Sequence, residues 1–158
     1  MKPDQKSFTV EEALQKLMHY CAYRDRSQKE VETKLDEMRM IPEAKEKIII
    51  SLMKENFLNE ERFARSFVRG KFRIKKWGRI KIKQELKKKE ISTPIINLGL
   101  SEINEEKYFK TLEEIAAKKL KLIKEPNAFK KKKKLMNFLL QKGFESHLIF
   151  DVANKFLK

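Results

Sequence analysis

The sequence predicts an all-α protein: tandem three-helix repeats, about nine helices, in an elongated curved array. Three observations carry this. Charged residues make up 39% of the chain against 41% hydrophobic, so cores are thin and surfaces large, which suits amphipathic helices better than a buried sheet. Only 4 Gly and 4 Pro are present, few for the turns of a β protein this long. Helix-start signals recur along the chain with no convincing strand between them.

Taken in order, Thr9 with Glu12 reads as a capping box opening a helix over about 9–23, and Ser27 with Glu30 as another over 27–39. Pro42 opens 42–56. Asn59 before Glu60 and Glu61 caps 59–76 and places acids in its first turn. After Trp77-Gly78 comes 78–89. Thr93-Pro94 reads as a cap with Pro at the first helical position of 93–102. Asn104 before Glu105 and Glu106 caps 104–124. Pro126 separates this from 127–142, and Gly143 reads as the glycine following that helix, ahead of 145–157.

A loose internal repeat follows. Leu35, Leu86 and Leu139 fall late in every third helix, and five residues on come Met40, Ile91 and Phe144. The leucines lie 51 and 53 residues apart. Units of that size stack as repeats. The expected division is 1–57, 58–103 and 104–158.

The net charge of +15 calls for a polyanionic partner, and it is unevenly placed. Residues 1–61 hold 11 basic and 13 acidic side chains; residues 62–90 hold 13 and 2; residues 91–158 hold 14 and 8. In the fourth helix Phe63, Ala64, Phe67 and Val68 form the apolar stripe. Arg62, Arg65, Arg69, Arg73 and Lys76 lie three or four positions apart on one ridge about 21 Å long. No acid is expected to relieve it, and like charges in line destabilise a helix, so the ridge points to a partner. In the fifth helix Ile82 and Leu86 face inward, and Arg79, Lys83 and Lys87 form a second ridge. Trp77, between the two, can stack on a base or plug a helix corner, the commoner role of a lone Trp there. Phe72 and Ile74 read as core, and Gly70 as a kink or a close contact. The run Lys130–Lys134 points all round its helix and reads as a solvated segment.

A catalytic inventory is missing. His19 and His147 lie in no motif, and His19 and Cys21 diverge on their helix. One Cys and two His do not make a usual zinc site, and no Gly-rich phosphate loop is present. The expectation is a non-enzyme with no metal or cofactor. With one cysteine no intrachain disulfide can form, which suits a reducing compartment. Met1-Lys2-Pro3-Asp4-Gln5-Lys6 leads into no apolar signal region, and the longest aliphatic run, Ile48-Ile49-Ile50, is too short for a membrane span. A cytoplasmic monomer is expected.

Three segments resemble the RecX family. They are Tyr23-Arg24-Asp25-Arg26-Ser27 with Glu30 and Lys34-Leu35; Phe57-Leu58-Asn59-Glu60-Glu61-Arg62-Phe63-Ala64; and Trp77-Gly78-Arg79-Ile80 followed by Glu85-Leu86 and Lys89-Glu90-Ile91. They cover about residues 20–100 and are specific as a set. The chain departs from the family pattern where a glycine often follows the second helix of a unit: Arg39-Met40 and Glu90 stand there instead. The resemblance implies tandem three-helix repeats and binding to the RecA filament. It also implies modulation of RecA, inhibition most commonly, sometimes with direct binding to single-stranded DNA. On that reading Arg62, Arg65, Arg69, Arg73, Lys76, Arg79, Lys83 and Lys87 form the face that meets RecA or DNA. A general nucleic-acid-binding module, a nuclease and an anionic-membrane binder are the competing readings.

Overall fold

The computed structural model describes residues 7–157 and contains, within them, nine α-helices and no strand. The N-terminal segment Met1–Lys6 lies outside the described residues. The helices are α1 (Val10–Tyr23), α2 (Gln28–Glu37), α3 (Pro42–Lys54), α4 (Glu60–Arg73), α5 (Arg79–Lys88), α6 (Thr93–Leu100), α7 (Glu105–Leu122), α8 (Ala128–Gln141) and α9 (Ser146–Phe156).

Side-chain caps fix most of the starts. Thr9 and Glu12 close a full capping box on α1. Ser27 accepts from the Glu30 amide, but the Glu30 carboxylate turns to Lys89 at 3.2 Å rather than back to its own cap, so only half of the expected box forms. Asn59, Asn104 and Asn127 each accept from the amide three residues on. The α6 start differs from expectation: Ser92 is the cap residue, without a side-chain bond, and Thr93 already lies in the helix.

The helix ends repeat one device. The amides of Met40, Ile91 and Phe144 donate to the carbonyls of Leu35, Leu86 and Leu139 at 3.1, 3.2 and 3.3 Å. In each case the residue before that amide is left-handed: Arg39 at φ 60°, Glu90 at φ 61° and Gly143 at φ 93°. The three leucines are fully buried. The sequence periodicity therefore marks a structural repeat: one helix-terminating wrap, three times over.

Contacts between helices fall mainly within α1–α3, α4–α6 and α7–α9. The buried apolar residues form two cores. One lies in α1–α3 and runs from Ala13 to Leu58. The other runs from Phe63 to Ala153 and is shared by α4–α9. The accessible surface of 10624 Å² exceeds the roughly 8300 Å² of a compact monomer of this mass, as stacked small units require.

The two junctions are unlike. Between α4–α6 and α7–α9 the backbones touch: the Gly78 amide donates to the Lys142 carbonyl at 2.7 Å and the Ile80 amide to the Gly143 carbonyl at 2.9 Å. A Cβ at Gly78 would lie 2.3 Å from the Gly143 oxygen. Between α1–α3 and α4–α6 the bonds are polar. Arg62 Nε meets Asp25 at 2.6 Å, Lys89 meets Glu30, the Gln28 amide donates to Glu60 at 3.3 Å, and Lys29 donates to the Lys88 carbonyl at 2.9 Å.

Candidate functional site: the basic corner at Trp77

The arginine ridge forms on α4, yet most of it is neutralised by the protein's own carboxylates, contrary to the expectation that no acid would interrupt it. Arg62 holds Asp25 and also donates to the carbonyls of Asn56 and Phe57. Arg65 pairs with Glu61 at 3.1 Å and Glu102 at 3.3 Å, and these hydrogen bonds push its pKa up. Arg69 shares Glu102 at 3.0 Å. The reason is partly long-range: Asp25 and Glu102 are distant in sequence and arrive through packing. Glu61, four residues before Arg65, was legible as a helix-neighbour pair.

Arg79 is likewise a clamp rather than an exposed contact. It meets Glu105 at 2.5 Å and Glu145 at 2.6 Å, from the starts of α7 and α9. Its guanidinium lies 4.0 Å over the Tyr108 ring. The Tyr108 hydroxyl accepts from the Arg79 amide at 3.0 Å and donates to Glu145. Burial, with that donation, raises the Tyr108 pKa well above its ordinary value. Burial works against the Arg79 charge, but Glu105 and Glu145 hold its pKa up.

Lys76 is not on the ridge. The α4 helix ends at Arg73, Lys76 is left-handed at φ 58°, and the Trp77 amide donates back to the Lys71 carbonyl at 3.1 Å. Ile74, expected in the core, is 79% exposed, while Phe72 is buried as expected. Gly70 makes no close contact: a Cβ there would meet nothing within 4 Å.

What the corner does gather is lysine. Trp77 is half-buried against the larger core. Lys71 Nζ lies 4.9 Å and Lys81 Nζ 4.6 Å from its ring, so it serves as a packing plug flanked by ammonium groups. Lys142, from the end of α8, donates to the Lys75 carbonyl at 2.8 Å. Burial, and then the nearby charges of Lys81 and Lys75, lower its pKa. From Lys71 to Gln84 the chain holds no acid. Among the described residues no carboxylate lies within 4.0 Å of Lys71, Arg73, Lys75, Lys76, Lys81, Lys83, Lys87 or Lys142. Lys83 and Lys87 lie half-exposed and exposed along α5. Sequence reasoning missed Lys71, Lys75, Lys81 and Lys142. The acid-free stretch signalled three of them, but Lys142 is 61 residues from Lys81 and nothing local marks it.

The Lys130–Lys134 run disperses around α8: Lys132 bonds Asn154 and Lys134 meets Glu125 at 3.2 Å. No described helix is long and apolar enough to cross a membrane.

Comparison with known proteins places this architecture. The regulatory protein RecX of Chlorobium phaeobacteroides is 31% identical over 135 residues, which cover 85% of this chain and 87% of that protein. The chain belongs to the RecX family. The model of the RecX second three-helix domain matches residues 59–100, and that of the RecX third three-helix domain matches residues 105–152. The regulatory protein RecX of Clostridium acetobutylicum is 36% identical over 134 residues, 82% of this chain and 62% of that protein. The crystal structure of RecX from Lactobacillus salivarius superposes with a TM-score of 0.83 at 25% identity, covering 92% of this chain and 95% of that one. The chain spans between 35% and 62% of the length of the first four curated relatives it matches. Within the two RecX domains matched, the Trp77 corner sits at the turn between the first and second helices of the second domain, against the end of the middle helix of the third.

Proposed function

We propose that this RecX-family chain binds the RecA filament on single-stranded DNA and lowers RecA activity, acting as a monomer in the cytoplasm without catalysis of its own. The single observation that carries the reading is the set of unneutralised cations at the Trp77 corner: Lys71, Lys75 and Lys81, with Lys142 brought in from α8. Arg73 at the end of α4, Lys76 in the following turn, and Lys83 and Lys87 on α5 extend the charge. A filament groove lined by phosphate and carboxylate is the polyanion such a surface fits. Arg62 and Arg79 hold the units in the geometry that presents it, and Arg65 and Arg69 brace the middle unit itself.

The test is RecA ATPase on single-stranded DNA, with the chain titrated in at low and at high salt. Inhibition that weakens with salt is expected, and it should weaken at every salt concentration in Lys71→Gln/Lys75→Gln/Lys81→Gln. Undiminished inhibition by that variant, folded normally by circular dichroism, would overturn the assignment.

A general nucleic-acid-binding module is the second reading. It is favoured by the exposed charge being mostly lysine, a point charge that tracks phosphate without the planar fork of arginine. It predicts equal affinity for naked and RecA-coated single strands.

A further inference from the structure

Between α7 and α8 lies an open groove of about 550 Å³ whose floor is apolar, formed by Ile115, Leu122 and Phe138. Leu122 is 72% exposed, so a large aliphatic side chain stands in water with no partner from the fold. The rim carries Lys76, Lys118, Lys119 and Lys142, against the single acid Glu114. Ile115 and Phe138 pack in part on the larger core, but Leu122 does not, and the polyanion reading uses none of the three. The groove follows α7 from Thr111 to Leu122, roughly 16 Å at the rise of a helix.

We propose that this groove docks an acidic peptide segment of a partner protein, one that seats a large apolar side chain on Leu122 and Ile115 and spreads carboxylates along the lysine rim. Charge complementarity selects the sign, and the apolar floor selects the class. A nucleic acid would satisfy the rim but brings no aliphatic group to the floor. The aromatic face that could stack a base, Phe138, is already covered by Lys119 Nζ at 4.6 Å. A fatty acid would fill the floor but carries one carboxylate for ammonium groups spread along the whole groove. A peptide supplies both, in the manner of amphipathic segments that lay one face into a groove.

The inference is separable from the filament reading: Lys76 and Lys142 serve both, but Ile115, Leu122, Phe138, Lys118 and Lys119 lie outside the Trp77 group. The test uses the full chain and a fluorescein-labelled peptide of about 12 residues, long enough to cross the groove as a helix, with leucine and phenylalanine at i, i+3, i+4 and i+7 and glutamates at the positions between. Fluorescence anisotropy is expected to show saturable binding. Binding should fall about tenfold or more when the apolar residues of the peptide become serine, the scale set by one buried leucine. It should fall comparably in Leu122→Glu, and also in Lys118→Glu, a fully surface change that tests the rim without touching the floor. Equal binding of the serine peptide, wild-type affinity in both variants, or displacement of the peptide by an equal concentration of laurate would overturn the proposal. Lys71→Gln/Lys75→Gln/Lys81→Gln, expected to lose filament inhibition, should keep peptide binding within about twofold, which separates failure here from failure of the filament reading.

Discussion

Glu90 and Arg39 occupy the left-handed position that ends the second helix of their units, where a side chain crowds its own carbonyl. The third unit has Gly143 in the same place. Both residues are exposed, and neither side chain makes an ion pair or hydrogen bond among the described residues. Glu90→Gly should therefore raise stability by about 0.5–1 kcal/mol, the relief of strain less the added freedom of the unfolded chain. Gly70→Ala should stabilise by a similar amount, since α4 has open space there and alanine is the better helix former; both are read from thermal or urea unfolding. Tyr108 answers to pH. Its hydroxyl is buried and donates to Glu145, so the native state keeps the proton more tightly than the unfolded chain, whose tyrosine ionises near pH 10. That stabilisation is complete below pH 10 and is lost as pH rises through the higher native value. Tyr108→Phe should cost about 1–3 kcal/mol at neutral pH and flatten the alkaline fall in stability, which a urea series from pH 8 to 11 measures.

At the scale of elements, the seam between α4–α6 and α7–α9 depends on two glycines in contact. Gly78→Ala has no room: its Cβ would meet backbone, not a flexible side chain. A loss of about 3 kcal/mol or more is expected, with α5 and α8 parting first in hydrogen exchange. Much of this level was legible beforehand. Asn59, Asn104 and Thr9 marked real helix starts because a cap is a contact within three residues. The periodic leucines marked real ends because the wrap from Leu86 to Ile91 is equally local. What was not legible was long-range. Glu30 leaves its cap to bind Lys89, Asp25 crosses to Arg62, and Glu102 reaches Arg65 and Arg69. Ile74 was misplaced for the same reason: the helical pattern ran on to residue 76, whereas the chain turns out of α4 after Arg73 so that Trp77 can plug the core.

For the whole molecule, charge and stability are divided between residue types. Of the arginines of residues 62–79, Arg62 and Arg79 tie neighbouring units together and Arg65 and Arg69 pair within α4–α6, while the lysines of the same stretch are left without a carboxylate among the described residues. Arg73 is the exception, exposed and unpaired among the described residues. Two junctions of different chemistry follow: a shared apolar core with touching backbones on one side of α4–α6, and half-buried ion pairs on the other. Such pairs are screened in part by salt, so the first unit is expected to loosen with salt before the third. The most direct measurement compares the salt dependence of binding to RecA-coated single-stranded oligonucleotide for Lys71→Gln/Lys75→Gln/Lys81→Gln and for Arg65→Gln/Arg69→Gln. At about 0.7 in log–log slope per phosphate contact on a single strand, the lysine variant should flatten the slope by about 2 and the arginine variant should leave it unchanged. A flattened slope in the arginine variant, with the lysine variant at wild type, would contradict the division.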